Sequence, residues 1–465
     1  MIFRQFIDED LGCASYLLAD GGEAVVVDPS WDVAPYLEFA AAHRLVIGRV
    51  LETHTHADHV SGRGRIAAAT GARIHLPAGA VAAFPSSELR DAEVVAVGDV
   101  RIEVVATPGH RPEHVSFVVT DYSRDDRPAF VLSGDSLLVG DVARPDLATQ
   151  SELETDQAAR ALFDSLRRLA LLPDDVELWP GHVGGSLCCS AGASEKPSST
   201  IGLERRTNAG FAAGNAERFA SELLAQLPER PPTVSRVVEL NRGPLLLEPA
   251  PLTALGVDEV QRLVERGAAI VDGRDACAFD DASIPGSLCL PLGSSGVGTR
   301  AAWVLGHATP LVLVAEDEAQ AHRLAAKLAA VGLIDVRGRL AGGIEAWKAR
   351  GRPLVSTQRI DVHGAVDLLA RDEAVLVDIR DASERAAGPV VGGSLHIPWR
   401  ELPLRAHEAQ ENGRAIIVAC ASGARTPTAA SLLTSLTGPP VLRIASGGVA
   451  DVVVELRSAT TERAA

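Results

Sequence analysis

Short apolar runs separated by polar, glycine- and proline-containing breaks dominate this chain. Ala14 to Leu18 and Ala24 to Val27 read as the two strands of a hairpin. Leu45 to Leu51, Arg101 to Ala106, Ala129 to Leu132 and Val176 to Trp179 read as further strands. Each of these four runs ends in a polar segment rich in candidate ligands, and loops beyond strand ends are where sites assemble. The first segment is Thr53-His54-Thr55-His56-Ala57-Asp58-His59. The others are Thr107-Pro108-Gly109-His110, Ser133-Gly134-Asp135 and Pro180-Gly181-His182. Imidazoles and carboxylates clustered in this way can converge on a metal ion, which a merely solvated loop has no reason to arrange.

Past a proline-rich stretch from Pro228 to Pro251, read as a linker, the pattern repeats with a period of about 105 residues. Ala269-Ile270-Val271-Asp272-Gly273-Arg274 returns as Val375-Leu376-Val377-Asp378-Ile379-Arg380. Leu311 to Ala315 returns as Ile416 to Ala419, and Gly342-Gly343-Ile344 as Gly447-Gly448-Val449. Strands alternating with helical stretches such as Ala319 to Val331 predict a small parallel α/β domain present twice. At 465 residues the chain is too long for one core. Three domains are expected, over residues 1–245, 253–355 and 358–458.

Composition narrows the function. The formal charge of −17 opposes a nucleic-acid phosphate backbone. No apolar run reaches the roughly 18 residues that a membrane span needs. Met1-Ile2-Phe3-Arg4-Gln5-Phe6 lacks the pattern of a signal peptide. Cys13, Cys188, Cys189, Cys277, Cys289 and Cys420 show neither zinc-ribbon spacing nor a dense framework, so a reduced, cytoplasmic setting is expected. Cys13, Cys277 and Cys289 read as packing residues.

The clustered ligands resemble the metallo-β-lactamase superfamily. The repeats resemble the rhodanese family through the Asp-x-Arg strand end, the Gly-Ser turn at Gly286-Ser287 and Gly393-Ser394, and the loop Cys420-Ala421-Ser422-Gly423-Ala424-Arg425. Such a loop points backbone N–H groups at the sulfur. Pro427 starts the following helix and Arg425 adds positive charge, all favouring a thiolate or persulfide. In the first copy Ala315-Glu316-Asp317-Glu318 stands where the second has Ala419-Cys420, so that copy resembles a pseudo-rhodanese retained for architecture or docking. Its Trp347 follows the late Gly-Gly pair, and the second copy has no tryptophan after Gly448.

Taken together, the chain resembles persulfide dioxygenases fused to rhodaneses. Ser133 to Asp141, Arg144-Pro145-Asp146-Leu147 and Pro197 to Arg206 look like segments these fusions carry, with Ala143 where glycine is usual and Leu203 where an aromatic is. The resemblance implies an αββα metallo-β-lactamase sandwich followed by two small doubly wound parallel-sheet rhodanese domains. It implies one Fe(II) per chain on His54, His110 and Asp135, with His56, Asp58, His59 and His182 orienting ligands and moving protons, or holding a second metal. The substrates would be O2 and a small-molecule thiol persulfide. Sulfite or thiosulfate would be the product, and Cys420 with Arg425 would carry sulfane sulfur. Neither nucleic acid nor membrane is expected as a partner, and the apolar fraction leaves self-association open. The alternative is a dinuclear thioester hydrolase of the glyoxalase II type holding two Zn or Fe ions, with His54, His56 and His110 on one, Asp58, His59 and His182 on the other, and Asp135 bridging. A third reading makes the chain a sulfur carrier whose metal domain is structural.

Overall fold

The computed structural model describes residues 1–184, 194–227, 229–247, 251–410 and 413–464. Cys188 and Cys189 lie outside them. The chain forms two compact units, 1–249 with 329–332, and 250–328 with 333–465. Among the described residues no helix is long and apolar enough to cross a membrane.

The first unit contains two six-stranded sheets. The first holds β1 (Ile2–Asp8), β2 (Cys13–Asp20), β3 (Glu23–Val27), β4 (Val46–Leu51), β5 (Arg73–Pro77) and β6 (Ser87–Leu89), in that order. β7 (Val94–Val97), β8 (Val100–Ala106), β9 (Val115–Asp121) and β10 (Phe130–Gly134) belong to the second. A small β11 (Leu137–Leu138) and β12 (Asp141–Val142) ribbon follows, then β13 (Glu177–Pro180) and β14 (Ser199–Thr200), giving the order β14-β13-β10-β9-β8-β7. The period of two sorts β2 between layers. Tyr16 and Leu18 join Val25, Leu51, Ile102, Phe117 and Leu132 between the sheets. Leu17 and Ala19 face Tyr36 and Ile66, carried by helices Ala34–Ala42 and Arg63–Thr70. The outer face of the second sheet is covered by helix Glu152–Leu169, whose Ala159, Leu162, Leu166 and Leu169 recur at helical spacing and are buried. Ser151 caps its first turn, and Arg167 and Arg168 complement the dipole of its last.

β1 is a strand the periodicity did not single out, because its residues sit at a half-exposed sheet edge. The proline-rich stretch is no plain linker either. Val234–Arg242 is a helix of the first unit, with Val234, Val237 and Asn241 buried.

In the second unit two five-stranded parallel sheets share one topology. β15 (Ala254–Leu255), β16 (Ala269–Asp272), β17 (Leu288–Cys289), β18 (Leu311–Val314) and β19 (Val336–Leu340) take the order β15-β19-β18-β16-β17. β20 (Gln358–Ile360), β21 (Ala374–Asp378), β22 (Leu395–His396), β23 (Ala415–Ala419) and β24 (Val441–Ile444) take the order β20-β24-β23-β21-β22. The repeated Asp-x-Arg closes the same fork twice, Arg274 on Asp272 and Arg380 on Asp378, each at 2.7 Å. The last helix, Val449–Ala464, seats Val449 and Val452 fully buried where the first copy uses Trp347. Cys289 is buried, but Cys277 is exposed rather than packed, because it sits in the first turn of helix Ala276–Asp281.

Candidate metal centre and cysteine loop

The C-terminal ends of β3, β4, β8, β10 and β13 deliver the ligand candidates of the first unit to one place. His54, His110 and Asp135 are fully buried and bring one donor atom each within 4.8 Å of one another. Asp135 Oδ2 lies 3.5 Å from His110 Nε2 and 3.8 Å from His54 Nε2. None of these three atoms has a hydrogen-bond partner among the described residues. Buried polar atoms left unpaired are costly, and this spacing suits ligands about 2.1 Å from a shared ion. The donor set therefore fits a metal.

Neighbouring groups fix which nitrogen each imidazole offers. The Thr53 hydroxyl donates to Asp28 Oδ2 at 2.8 Å, so its oxygen accepts the Nδ1–H of His54 at 2.9 Å. His110 Nδ1–H donates to the Arg144 carbonyl at 2.8 Å. Burial, reinforced for His54 by nearby histidines, lowers both pKa values, so both rings are neutral with a lone pair on Nε2. Burial opposes the charge of Asp135, yet His182 and His110 hold its carboxyl well below the usual range.

Three residues that hold this set carry no motif of their own. His114 Nε2 accepts the Asp135 backbone N–H at 2.9 Å, and its Nδ1–H donates to Thr107 Oγ1 at 2.9 Å. Its position four residues after His110 was the available signal. Asp28, at a positive φ of 50°, accepts the Thr53 backbone N–H at 2.7 Å. Asn241, from the supposed linker, donates to the carbonyls of His56 at 3.0 Å and His59 at 2.8 Å, and accepts the Ser61 N–H at 3.0 Å. Gly134 has φ 52°, and a Cβ there would lie 2.6 Å from His114 Nε2 and 2.8 Å from Thr53 Oγ1. Only glycine fits.

The remaining ligand candidates form two further groups. Asp58, His59 and His182 cluster with Cys13. His182 bridges Asp135 Oδ1 and Asp58 Oδ2, both at 2.7 Å. Burial disfavours its charge, but those carboxylates outweigh it and raise its pKa to about 10. Cys13 is buried, yet it is more than core filling, since its thiol lies 3.3 Å from Asp58 Oδ2 and 3.5 Å from His59 Nδ1. His56 turns Nε2 to Glu52 at 2.9 Å and Asp28 at 3.2 Å. Its Nδ1, like His59 Nε2, has no hydrogen-bond partner among the described residues.

In the second unit, β23 runs into residues 420–425 and then helix Thr426–Leu436. Cys420 is buried, and its sulfur accepts the Gly423 N–H at 3.0 Å. Arg425 forks onto Glu384 with two bonds of 2.7 Å. The loop is closed from the other side by Gly448, where a Cβ would sit 2.0 Å from the Ala421 carbonyl oxygen. In the first copy β18 is separated from helix Glu318–Ala330 by residues 315–317 alone. Asp317 there caps the helix by accepting the Gln320 N–H at 2.6 Å. That copy lacks the loop as well as the thiol.

Residues 8–182 match the metallo-beta-lactamase superfamily, and residues 256–350 and 362–454 each match the rhodanese-like domain. The chain thus carries a metallo-β-lactamase superfamily domain followed by two rhodanese-like domains. A metallo-beta-lactamase from Staphylococcus aureus subsp. aureus COL is 28% identical, covering 73% of this chain and 98% of its own, with a TM-score of 0.64. ETHE1 from Myxococcus xanthus is 30% identical over 52% of this chain and 98% of its own, with a TM-score of 0.45. The hydroxyacylglutathione hydrolase of Synechococcus sp. (strain CC9902) is 27% identical over 241 residues, 44% of this chain and 89% of that one.

Proposed function

We propose that the protein oxidises a small thiol persulfide with O2 at a single iron(II) and transfers sulfane sulfur through Cys420. The overall reaction is persulfide plus O2 plus water giving thiol, hydrogen sulfite and a proton. The observation that carries this reading is one chain holding both an unpaired two-histidine, one-carboxylate set and a cysteine loop shaped for sulfane sulfur. Iron bound there would supply open positions for a soft sulfur and for O2, which zinc, lacking redox chemistry, would not. His54 Nε2, His110 Nε2 and Asp135 Oδ2 would hold it. His182 occupies Asp135 Oδ1 and so leaves Oδ2 for the ion, while its Nε2 keeps a proton shared with Asp58. At Cys420 the Gly423 N–H donates to the sulfur, and Arg425, held by Glu384, closes the same loop.

A second reading, a dinuclear thioester hydrolase, is favoured by the unpartnered His56 Nδ1 and His59 Nε2 and by the likeness to hydroxyacylglutathione hydrolase. Glu52 and Asp28 on His56 Nε2 leave its Nδ1 free for such an ion, and what weighs against this reading is the neighbouring cysteine loop, since a domain that handles sulfane sulfur has little use beside a thioesterase. Elemental analysis of protein purified without added metal, with oxygen uptake followed on a persulfide, separates the two. Iron near one per chain with uptake is expected. Two metals per chain with thioester cleavage and no uptake would establish the hydrolase.

A further inference from the structure

The copy without the cysteine loop is more than a spacer, because one of its side chains reaches the surroundings of the Cys420 loop. Trp303, on helix Val297–Val304, packs against the apolar cluster that contains Cys420 and Trp399. The two indoles meet edge to face at 6.4 Å. Arg400 lies over both, 4.8 Å from the Trp303 ring centre and 5.6 Å from that of Trp399. The copies are also joined at β17, where the Cys289 N–H donates to Ser431 and its carbonyl accepts from Thr428, both on the helix that follows the loop.

Arg400 differs from the other cations of this region. Arg380 and Arg425 are each forked onto a carboxylate at 2.7 Å. Arg385 lies 4.0 Å from Asp378, which Arg380 already occupies. Arg400 is fixed chiefly by aromatic faces and touches one carboxylate loosely, Asp381 at 3.5 Å. That same Asp381 stands 3.8 Å from Arg425 of the active loop. Arg400 Nε and Trp303 Nε1 both lack hydrogen-bond partners among the described residues. A guanidinium lying over two indole rings, one carboxylate away from the loop, is prepared for an anion.

We infer that Arg400, positioned by Trp303 of the copy without the cysteine loop, binds the small sulfur oxyanion that gives up or accepts sulfane sulfur at Cys420. The inference rests on the sulfurtransferase half of the proposed function. With thiosulfate as donor, the Cys420 thiolate attacks the sulfane sulfur and forms a new S–S bond. The sulfane-to-sulfonate bond breaks, and its electron pair leaves with sulfite, which Arg400 would hold. Cyanide then takes the sulfane sulfur as thiocyanate and restores the thiolate.

Thiosulfate-to-cyanide transfer by the intact chain tests this. Arg400→Gln is expected to raise KM for thiosulfate about tenfold, the scale of one charge-assisted contact, while kcat falls less. Trp303→Ala should raise KM in the same sense, and Trp303→Phe should largely restore it, because a ring face remains. Arg385→Gln should leave KM near wild type. Calorimetric titration of sulfite into the intact chain needs no turnover, and Arg400→Gln should weaken that binding by a similar factor. Unchanged KM and sulfite affinity in Arg400→Gln, or equal losses in Arg385→Gln, would overturn the inference. No wild-type transfer together with Arg400-dependent sulfite binding would instead overturn the sulfurtransferase reading. Absence of both transfer and sulfite binding would overturn the two together.

Discussion

The metal centre and the cysteine loop solve the problem of placing reactive groups in opposite ways. The first gathers side chains from the ends of β3, β4, β8, β10 and β13, and it is steadied by His114, Asp28 and Asn241 from elsewhere in the unit. The second is one continuous stretch, residues 420–425, shaped by its own backbone and closed by Gly448. A gathered site can lose its function through a remote residue. A contiguous loop is lost all at once, as the first rhodanese-like copy shows, where residues 315–317 leave no room for it.

Separability of the two sites is the sharpest test of that comparison. Cys420→Ser should abolish sulfur transfer outright, since no second thiol occupies such a loop among the described residues, and should leave iron content and oxygen uptake on a small persulfide near wild type. Coupled loss of uptake would break the comparison by making the two sites one device. His110→Ala should do the reverse, stripping the metal and reducing oxygen uptake at least a hundredfold, the scale of losing metal-site support. Thiosulfate-to-cyanide transfer measured on the same preparation should persist.

The supporting residues give smaller effects. Asn241→Ala leaves two buried carbonyls and one N–H of the ligand loop unpaired, for a loss of about 3 kcal/mol. Metal affinity should fall with it, measurable by chelator competition, whereas Cys420 transfer should not. Gly448→Ala forces a Cβ against the Ala421 carbonyl and should cost about 2 kcal/mol, read from chemical denaturation of the intact chain. Its transfer rate should drop while metal content stays constant. Equal damage to both activities from either substitution would mean that each acts through global unfolding.

Much of this arrangement was legible because it is local. Strands Cys13–Asp20 and Ala415–Ala419 announce themselves by apolar runs that bury on both faces, and Val46–Leu51 by its buried Ile47, Val50 and Leu51. The cysteine loop lies within six consecutive positions, and the repeat shows itself as matched sequence. Where burial was partial, the reading failed. Ile2–Asp8 hides as an edge strand, and Val234–Arg242 hides as a helix among prolines.

The sequence by itself determined the kinds of groups present: histidines and carboxylates just past strand ends, one loop with a thiol and one copy without. Tertiary structure alone decided which of them meet. It aimed His54, His110 and Asp135 at a common point and turned His56 toward Glu52 and Asp28. It also set Cys13 against Asp58 and brought Asn241 back from the far end of the unit. The physical reason is that ligand type is a property of a residue, whereas convergence depends on strand order, sheet packing and the hydrogen bonds that select one nitrogen of each imidazole.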